Sequence, residues 1–455
     1  MIWVFPIIPC SAQQYHWRRA YIPQNNSDPW ESIAFNPLSN GRVIFAGPRF
    51  VGGVFRSDDG GFTWVEHDSL LDPVGLPMNE IHQIFCLPSD TNIVLAVTAQ
   101  RCYRSTNGGI TWNDIYNNGS LTDLGGMDGE SIGYNTEEDA LYYGEPLTGV
   151  MRSVDHGADW TQFGTASDSI LLNSMDVSQG PSPQLIQNSE LSSGWLFAHS
   201  TDRGNTWSVS LDGGSNAAEG PKIVFSWKAL NPVTGEPTVA IIQRWPTTDS
   251  SLLATTDAGD TWQNLNNAPV RTWGLDIDQR ASMLSKPGDP AYPRPLHFFT
   301  GFFNVDQDTI PNGMIQETTD GGISWHSTNF PKGVAGNSLN PPVREIWVLK
   351  YDTLSGQIAV AADSGIYIGD ASNGIVEEQP TAPQIQLTQS EGFVTLSSRM
   401  PIEIIHLFDI TGRQIMESKP QRNIFSLSLK AFPSGIYGVE AIIEGQLPFR
   451  KILAW

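Results

Sequence analysis

The chain has 455 residues, 40% of them hydrophobic, with 43 glycines, 31 prolines and a formal charge of -22. That length exceeds one ordinary hydrophobic core, and the chain has no apolar run long enough to span a bilayer as a helix. The acid excess excludes nucleic acid as a partner, because phosphate binding needs Lys and Arg to displace counterions.

The chain begins with an apolar run, Ile2 to Pro9, leading into the small-residue segment Pro9-Cys10-Ser11-Ala12-Gln13. This is the pattern of a signal peptide cleaved after Ala12, without the usual basic start. A signal cut short at its start and a merely hydrophobic N-terminus both fit. The first is the expectation for residues 1–12, and Cys10 would leave with it.

From residue 13 to 376 one short phrase recurs six times: a Ser or Thr, an Asp or Asn two on, a Gly two further, then a hydroxyl residue followed by Trp. The copies are Ser57-Asp59-Gly61-Thr63-Trp64, Ser105-Asn107-Gly109-Thr111-Trp112, Ser153-Asp155-Gly157-Asp159-Trp160, Ser200-Asp202-Gly204-Thr206-Trp207, Thr255-Asp257-Gly259-Thr261-Trp262 and Thr318-Asp320-Gly322-Ser324-Trp325. Asp159 alone departs from the pattern. Successive tryptophans lie roughly 47 to 63 residues apart, the length of a four-stranded propeller blade. In a tight turn the Asp or Asn side chain can accept hydrogen bonds from backbone amides two residues on, and Gly supplies a positive φ. Trp then opens the next strand with a large apolar face to bury.

Two strand-like runs precede each strand that leads into the phrase. In the second repeat, Glu80 to Leu87, Asn92 to Thr98 and Cys102 to Ser105 come before the turn, and Trp112 to Tyr116 follows it. Six repeats therefore give six four-stranded blades. Arg344 to Lys350, Gln357 to Ala361 and Gly365 to Ile368 give three strands of a seventh, whose outer strand is supplied by Tyr15 to Tyr21. An open six-bladed array is the alternative. Cys86 and Cys102 fall on the first and third strands of one blade, beyond disulfide reach, and are expected as buried free thiols.

The phrase resembles the Asp-box, or bacterial neuraminidase repeat, of sialidases, xyloglucan-cleaving glycoside hydrolases, sortilin-type receptors and a photosystem II assembly factor. The resemblance implies an all-β propeller, which with the seventh set of strands is expected to be a seven-bladed β-propeller with six Asp-box turns, and a small C-terminal β-sandwich domain is expected after it. It gives Asp59, Trp64, Asn107, Trp112, Asp155, Trp160, Asp202, Trp207, Asp257, Trp262, Asp320 and Trp325 structural roles. The box is a structural turn in all of those families, so it does not imply an activity.

Glu377-Glu378-Gln379-Pro380-Thr381-Ala382-Pro383 reads as a polar linker, 377–384, before a compact β domain over 385–455. Its segments Ile404 to Asp409, Thr411 to Ile415, Phe425 to Leu429, Phe432 to Tyr437 and Arg450 to Ile452 resemble the C-terminal sorting domain of the type IX secretion system. That family pairs a strand ending in Asp-x-x-Gly-Arg with a later Leu-x-x-Gly-x-Tyr and a terminal basic-apolar strand. Asp409, Gly412, Arg413, Gly435, Tyr437 and Lys451 fill those places, with Phe432 in the Leu position. The resemblance implies the type IX secretion machinery as a partner. It also implies export through the periplasm to the outer surface or medium of a Bacteroidota-like cell. A small sandwich used for adhesion is the alternative.

Strand alternation separates two faces of the propeller disc. The Asp-box turns share one face with the turns between first and second strands; the other face carries the loops between second and third strands and between blades. The insertions Gln243 to Ser251, Thr300 to Asn312, Thr122 to Glu130 and Leu211 to Pro221 all belong to this second, loop face, where function usually sits.

Two catalytic patterns are absent. Ile33-Ala34-Phe35-Asn36-Pro37 and Gly52-Gly53-Val54-Phe55-Arg56-Ser57 resemble the first blade of the xyloglucan-cleaving family, but its acid, two residues before the Gly-Gly pair, is replaced by Phe50. Sialidases carry a Phe/Tyr-Arg-Ile-Pro phrase and clamp a carboxylate with three arginines. Trp17-Arg18-Arg19-Ala20-Tyr21-Ile22-Pro23 is a broken version, and Arg49, Arg244 and Arg271 are the residues that could converge as a clamp. Asp128, Glu130, Glu145 and Asp276 are the weak catalytic candidates, against a reading as solvated loop carboxylates. Trp245, Phe302 and Phe303 lie in long loops, where aromatics stack on sugar rings, anchor a peptide or pack their own loops. The histidines have neither helical nor finger spacing, and Asp306-x-Asp308-x-Ile310 fails the calcium-loop pattern, so no metal and no cofactor are expected. The expected function is a secreted or cell-surface propeller that binds a glycan or extracellular protein partner through its loop face. An exo-acting glycoside hydrolase is the alternative.

Overall fold

The computed structural model describes residues 14–20, 30–49, 53–67, 81–98, 101–115, 132–145, 149–162, 171–178, 183–191, 194–214, 223–225, 240–243, 252–255, 259–265, 269, 272–277, 297–302, 313–331, 342–371, 385–390, 393–409, 414–428, 430, 432, 436–442 and 449–454. The chain divides into two compact units, Met1–Ser372 and Asn373–Trp455.

The first unit is a β-propeller. Six of its sheets are each built from four consecutive antiparallel strands. Blade 1 has Trp30–Phe35, Ile44–Pro48, Val54–Ser57 and Val65–His67; blade 2 has Ile81–Cys86, Val94–Thr98, Cys102–Ser105 and Asn113–Asp114. Blade 3 has Ile132–Asn135, Ala140–Glu145, Gly149–Ser153 and Thr161–Gln162; blade 4 has Leu171–Val177, Leu185–Leu191, Gly194–Ser200 and Ser208–Gly214. Blade 5 has Ile223–Phe225, Ala240–Gln243, Leu252–Thr255 and Gln263–Asn264; blade 6 has Thr272–Ile277, Phe298–Phe302, Ile315–Thr318 and His326–Ser327. A further sheet, the closing sheet, joins Ile346–Tyr351, Ile358–Ala362 and Gly365–Ala371 to Tyr15–Arg19 from the start of the unit, with Trp17 opposite Gly369.

The recurring phrase forms a turn that holds itself by side-chain hydrogen bonds. Asp59 Oδ1 accepts from the amides of Phe62 (2.9 Å) and Thr63 (2.8 Å), and its Oδ2 accepts from Thr63 Oγ1 (2.6 Å). Ser57 Oγ donates to Asp59 (2.8 Å) and accepts from Gly61 N (2.7 Å). The amide four residues on, rather than the expected one two residues on, is held in the same way by Asn107 (2.9 Å), Asp155 (2.9 Å), Asp202 (2.8 Å) and Asp320 (2.9 Å), because the glycine turns the chain back over the side chain. Asp257 lies outside the described residues. At Asp155, Asp202 and Asp320, burial pushes the carboxyl pKa up, but the hydroxyl and amide donors outweigh it and leave each below the usual value. The glycine is required twice over: Gly109 has φ 81°, and a Cβ there would stand 2.5 Å from Phe45 Cε1 of the preceding blade.

Each phrase tryptophan packs toward the blade before its own. Trp112 shares a core with Phe45 and Val54 of blade 1, Trp160 with Leu95 and Val97 of blade 2, and Trp64 with Val348 and Ile368 of the closing sheet. Trp207 packs on Val150 of blade 3, Trp262 on Phe197 of blade 4 and Trp325 on Leu252 of blade 5. Trp64, Trp112 and Trp160 are buried, whereas Trp207, Trp262 and Trp325 are half-buried. The residue before the phrase hydroxyl reaches the other way. Arg56 donates to Gly108 O (2.7 Å), Arg104 to His156 O (2.8 Å), and His199 pairs with Asp260 (3.2 Å), each in the next blade's turn. Arg18, on the N-terminal strand, does the same to the carbonyls of Gly60 and Gly61. Cys86 and Cys102 are buried free thiols on opposite faces of blade 2, one in the core shared with blade 1 and the other in the core shared with blade 3.

The second unit has a three-stranded sheet, Ile385–Ser390, Phe393–Ile402 and Arg422–Ser428, and a four-stranded sheet, Gln414–Ser418, Ile404–Asp409, Ile436–Ile442 and Phe449–Ala454. Val394, Leu396 and Ile402 of the first share a core with Ile405, Leu407, Val439 and Ala441 of the second. The register sets Asp409 opposite Tyr437 and Lys451 opposite Val439; Gly412, Arg413 and Gly435 lie outside the described residues.

Candidate ligand-binding site at the loop face

The first strands of successive blades adjoin. Gln83 of blade 2 exchanges hydrogen bonds with the main chain of Ile132 in blade 3, donating at 3.1 Å and accepting at 2.8 Å, and Asn135 of blade 3 donates to Ser178 O beside blade 4 (2.9 Å). The repeat turns lie at the far ends of these strands, beside the first-to-second strand turns, as the hydrogen bonds from Gly60 N to Arg42 O and Gly108 N to Asn92 O record (both 2.8 Å). The opposite ends, where the first strands begin, belong to the loop face.

At those ends the same irregularity recurs in five sheets. The register skips one residue of the first strand between Trp30 and Ser32, Ile81 and Gln83, Leu172 and Ser174, Thr272 and Gly274, and Ile346 and Val348. The residues so inserted are Glu31, His82, Asn173, Trp273 and Trp347. A β-bulge leaves its extra residue outside the ladder and re-aims it, and bulges concentrate beside functional sites. Glu31, His82, Asn173, Trp273 and Trp347 thus share one backbone level at the loop-face ends of the first strands.

Three of these side chains have a described environment. His82 Nδ1 lies 3.5 Å from Glu31 Oε1 across the junction of blades 1 and 2, with side-chain exposures of only 4% and 8%. Glu31 Oε2, both ring nitrogens of His82 and the neighbouring Ser32 Oγ are buried without a hydrogen-bond partner. Such groups carry a desolvation penalty of about 1–3 kcal/mol each and call for a ligand, water or catalytic explanation. Trp347 packs with Trp30, and the Arg49 guanidinium lies 4.5 Å above its ring centroid. Near this level, in the closing sheet, Asp363 accepts from Arg344 N (3.3 Å), yet burial raises its carboxyl pKa overall.

The sequence-based candidates separate. Arg49 stands at the loop face, bound over Trp347. Glu145 ends a second strand opposite Gly149, at the loop-face end of blade 3. Asp276 is on the other side: it lies near the end of its first strand, toward the repeat-turn face, where its Oδ2 accepts from Tyr351 N (2.6 Å), so it holds the closing sheet. Phe302 is not a loop residue. Its strand runs on through Thr300 to Phe302, and the ring is 6% exposed in the core with Met314 and Phe330. The expected loop from Leu211 likewise begins later, since strand continues to Gly214. Asp128, Glu130, Arg244, Trp245, Arg271 and Phe303 lie outside the described residues. Among the described residues no group of three His, Cys, Asp or Glu could hold a metal, and no helix is long and apolar enough to cross a membrane.

The bulge residues were missed because each looks like an ordinary polar or aromatic position at a strand start. The available signal was a break in alternation near the start of the bulged first strands, visible when Trp30-Glu31-Ser32, Ile81-His82-Gln83 and Ile346-Trp347-Val348 are aligned.

No protein-family model matches the chain. A xyloglucanase of Hypocrea jecorina (strain QM6a) is 26% identical over 173 residues, covering 38% of this chain and only 18% of that relative. Among solved structures, the Niastella koreensis GH74 enzyme superposes with a TM-score of 0.56 at 14% identity, covering 84% of this chain and 59% of that one. The extracellular domain of a putative hybrid two-component system from B. thetaiotaomicron gives 0.51 at 12% identity, covering 90% of this chain and 47% of that one. YCF48 bound to D1 peptide gives 0.50 at 12% identity, covering 80% and 97%. At these identities the likeness establishes the propeller fold, and the chain spans part of the length of the first two.

Proposed function

We propose that this protein is a secreted or cell-surface propeller whose loop face binds a glycan, with the repeat turns as Asp-boxes and the closing sheet as a seventh blade. The observation that carries the reading is the set of five bulged first strands. Glu, His, Asn and Trp are the residue types that hydrogen-bond sugar hydroxyls and stack on sugar rings, and here they recur at one level on a rigid scaffold. The partial likeness to a xyloglucanase and the likeness to a GH74 enzyme point to the same class of ligand.

Binding is favoured over hydrolysis by two features. The position of the xyloglucan-cleaving acid is Phe50, and Glu31 is coupled to a histidine at 3.5 Å rather than facing a second carboxyl across the gap of about 5 Å or more that glycoside hydrolysis uses. The C-terminal unit is proposed as a type IX sorting domain that delivers the propeller to the outer surface, on the strength of Asp409, Gly412, Arg413, Gly435, Tyr437 and Lys451 in order.

The test is to incubate the purified full chain with an array of plant, bacterial and host glycans and to record retention and released sugar together. Retention without release is the expected outcome. Release that disappears in Glu31→Gln or Glu145→Gln would replace binding with catalysis, and silence on both would turn the search to a protein partner.

A further inference from the structure

We infer that Glu31 and His82 act as one hydrogen-bonding unit that takes two neighbouring hydroxyls of an uncharged sugar, and that the site rejects carboxylated sugars. The inference rests on the glycan-binding reading above and narrows it to a ligand class. Its basis is the unfilled valence of the pair. Glu31 Oε2 and His82 Nε2 are both buried and without a partner, and Ser32 Oγ beside them is in the same condition. An ionised carboxylate only accepts, whereas a neutral imidazole offers one donor and one acceptor. Vicinal hydroxyls supply the complement: one donates to Glu31 Oε2, and its neighbour donates to or accepts from the ring of His82. Gln83 next door, by contrast, is satisfied by the main chain of Ile132.

Charge sets the selectivity. A sugar carboxylate would stand beside the Glu31 carboxylate in a poorly screened environment, where like charges repel strongly. Relief would need a cation at the pair itself, and the described arginines at this end are drawn to other partners. Arg49 lies over Trp347, Arg101 binds Asp114 at 2.6 Å, Arg19 donates to Ser364 O at 3.0 Å, and the exposed Arg344 lies near enough to the Asp363 carboxyl to favour its charged form. The net charge of -22 adds to the same bias.

The experiment uses the full chain and matched pairs of oligosaccharides, neutral glucose-, galactose- and xylose-based members against their uronate or sialylated counterparts, with affinities by calorimetry. Neutral members are expected to bind at least about tenfold more tightly than their acidic counterparts, and Glu31→Gln to weaken neutral binding by about tenfold or more. Glu31→Gln should melt at the same temperature or higher, because it removes a buried charge that lacks a full set of partners; a merely structural role predicts a lower one. His82→Gln provides the second variant, with weakened neutral binding expected again. Equal or tighter binding of the acidic member, or unchanged affinity in both variants, overturns the inference while leaving glycan binding intact. Failure of any glycan to bind overturns both.

Discussion

Replacing Trp112 by alanine tests the interblade packing most directly. Trp112 is 2% exposed and shares a core with Phe45, Val54, Ile84 and Tyr103, so truncation opens a cavity between blades 1 and 2. A buried Trp removes roughly 200 Å² from water, which at about 25 cal/mol per Å² is an upper figure of about 5 kcal/mol. Its indole N–H is buried without an acceptor, which offsets part of that gain. The expected loss is therefore about 3–4 kcal/mol, within the range of aromatic truncations. Trp207, half-buried against blade 3, should lose about half as much in the same substitution. Equilibrium urea unfolding followed by far-UV circular dichroism measures both, provided the propeller transition is resolved from that of the C-terminal unit. A loss below about 1 kcal/mol for Trp112→Ala, or a loss for Trp207→Ala at least as large, would refute the packing argument. The phenylalanine variants refine it. Trp160 donates its indole N–H to Gly157 O (3.2 Å) and Trp112 donates to no acceptor, so Trp160→Phe should cost about 1 kcal/mol more than Trp112→Phe.

Two further outcomes are expected. The hydrogen bonds from His156 (2.9 Å) and Tyr134 (2.6 Å) hold the Asp139 carboxyl below its usual range, so its folded pKa lies under the unfolded one. Its stabilisation is then complete above about pH 4 and fades as pH falls through the folded value. Asp139→Asn should flatten the pH dependence of unfolding free energy below about pH 4, with a small effect because the site is half exposed and screened; an unchanged acid slope would contradict the assignment. Burial pushes the Cys102 thiol up to about 12 and raises that of Cys86 also, so neither should react with a thiol reagent in the folded protein. Peptide mapping after labelling should find both modified only in denaturant, and native modification of either would place it at an accessible surface.

The all-β propeller was legible because each element of the repeat is local. Ser57, Asp59, Gly61 and Thr63 make one turn from seven consecutive residues, and Trp64 follows at once, so the chemistry that closes the turn is written contiguously and repeats with the blade period. The N-terminal strand could also be placed, since three strands at the end of the unit lacked a fourth. What pattern could not order was anything that depends on contacts between blades. Phe302 read as a loop aromatic because strand ends are weakly marked, and only packing against Phe330 and Met314 fixes it as core. Asp276 read as a loop acid, and only the approach of Tyr351 from another sheet shows what it holds.

The candidate site belongs to the same class. Glu31 and His82 lie about fifty residues apart in the chain, on different blades, and nothing in either neighbourhood announces the other. Sequence alone determined the repeated turn, the glycine that it needs and the tryptophan that follows it, because those are short-range requirements of backbone geometry and burial. The tertiary structure alone decided that five first strands bulge at the same level and that a carboxylate and an imidazole meet there at 3.5 Å. That outcome depends on how neighbouring blades pack, which no single stretch of chain encodes.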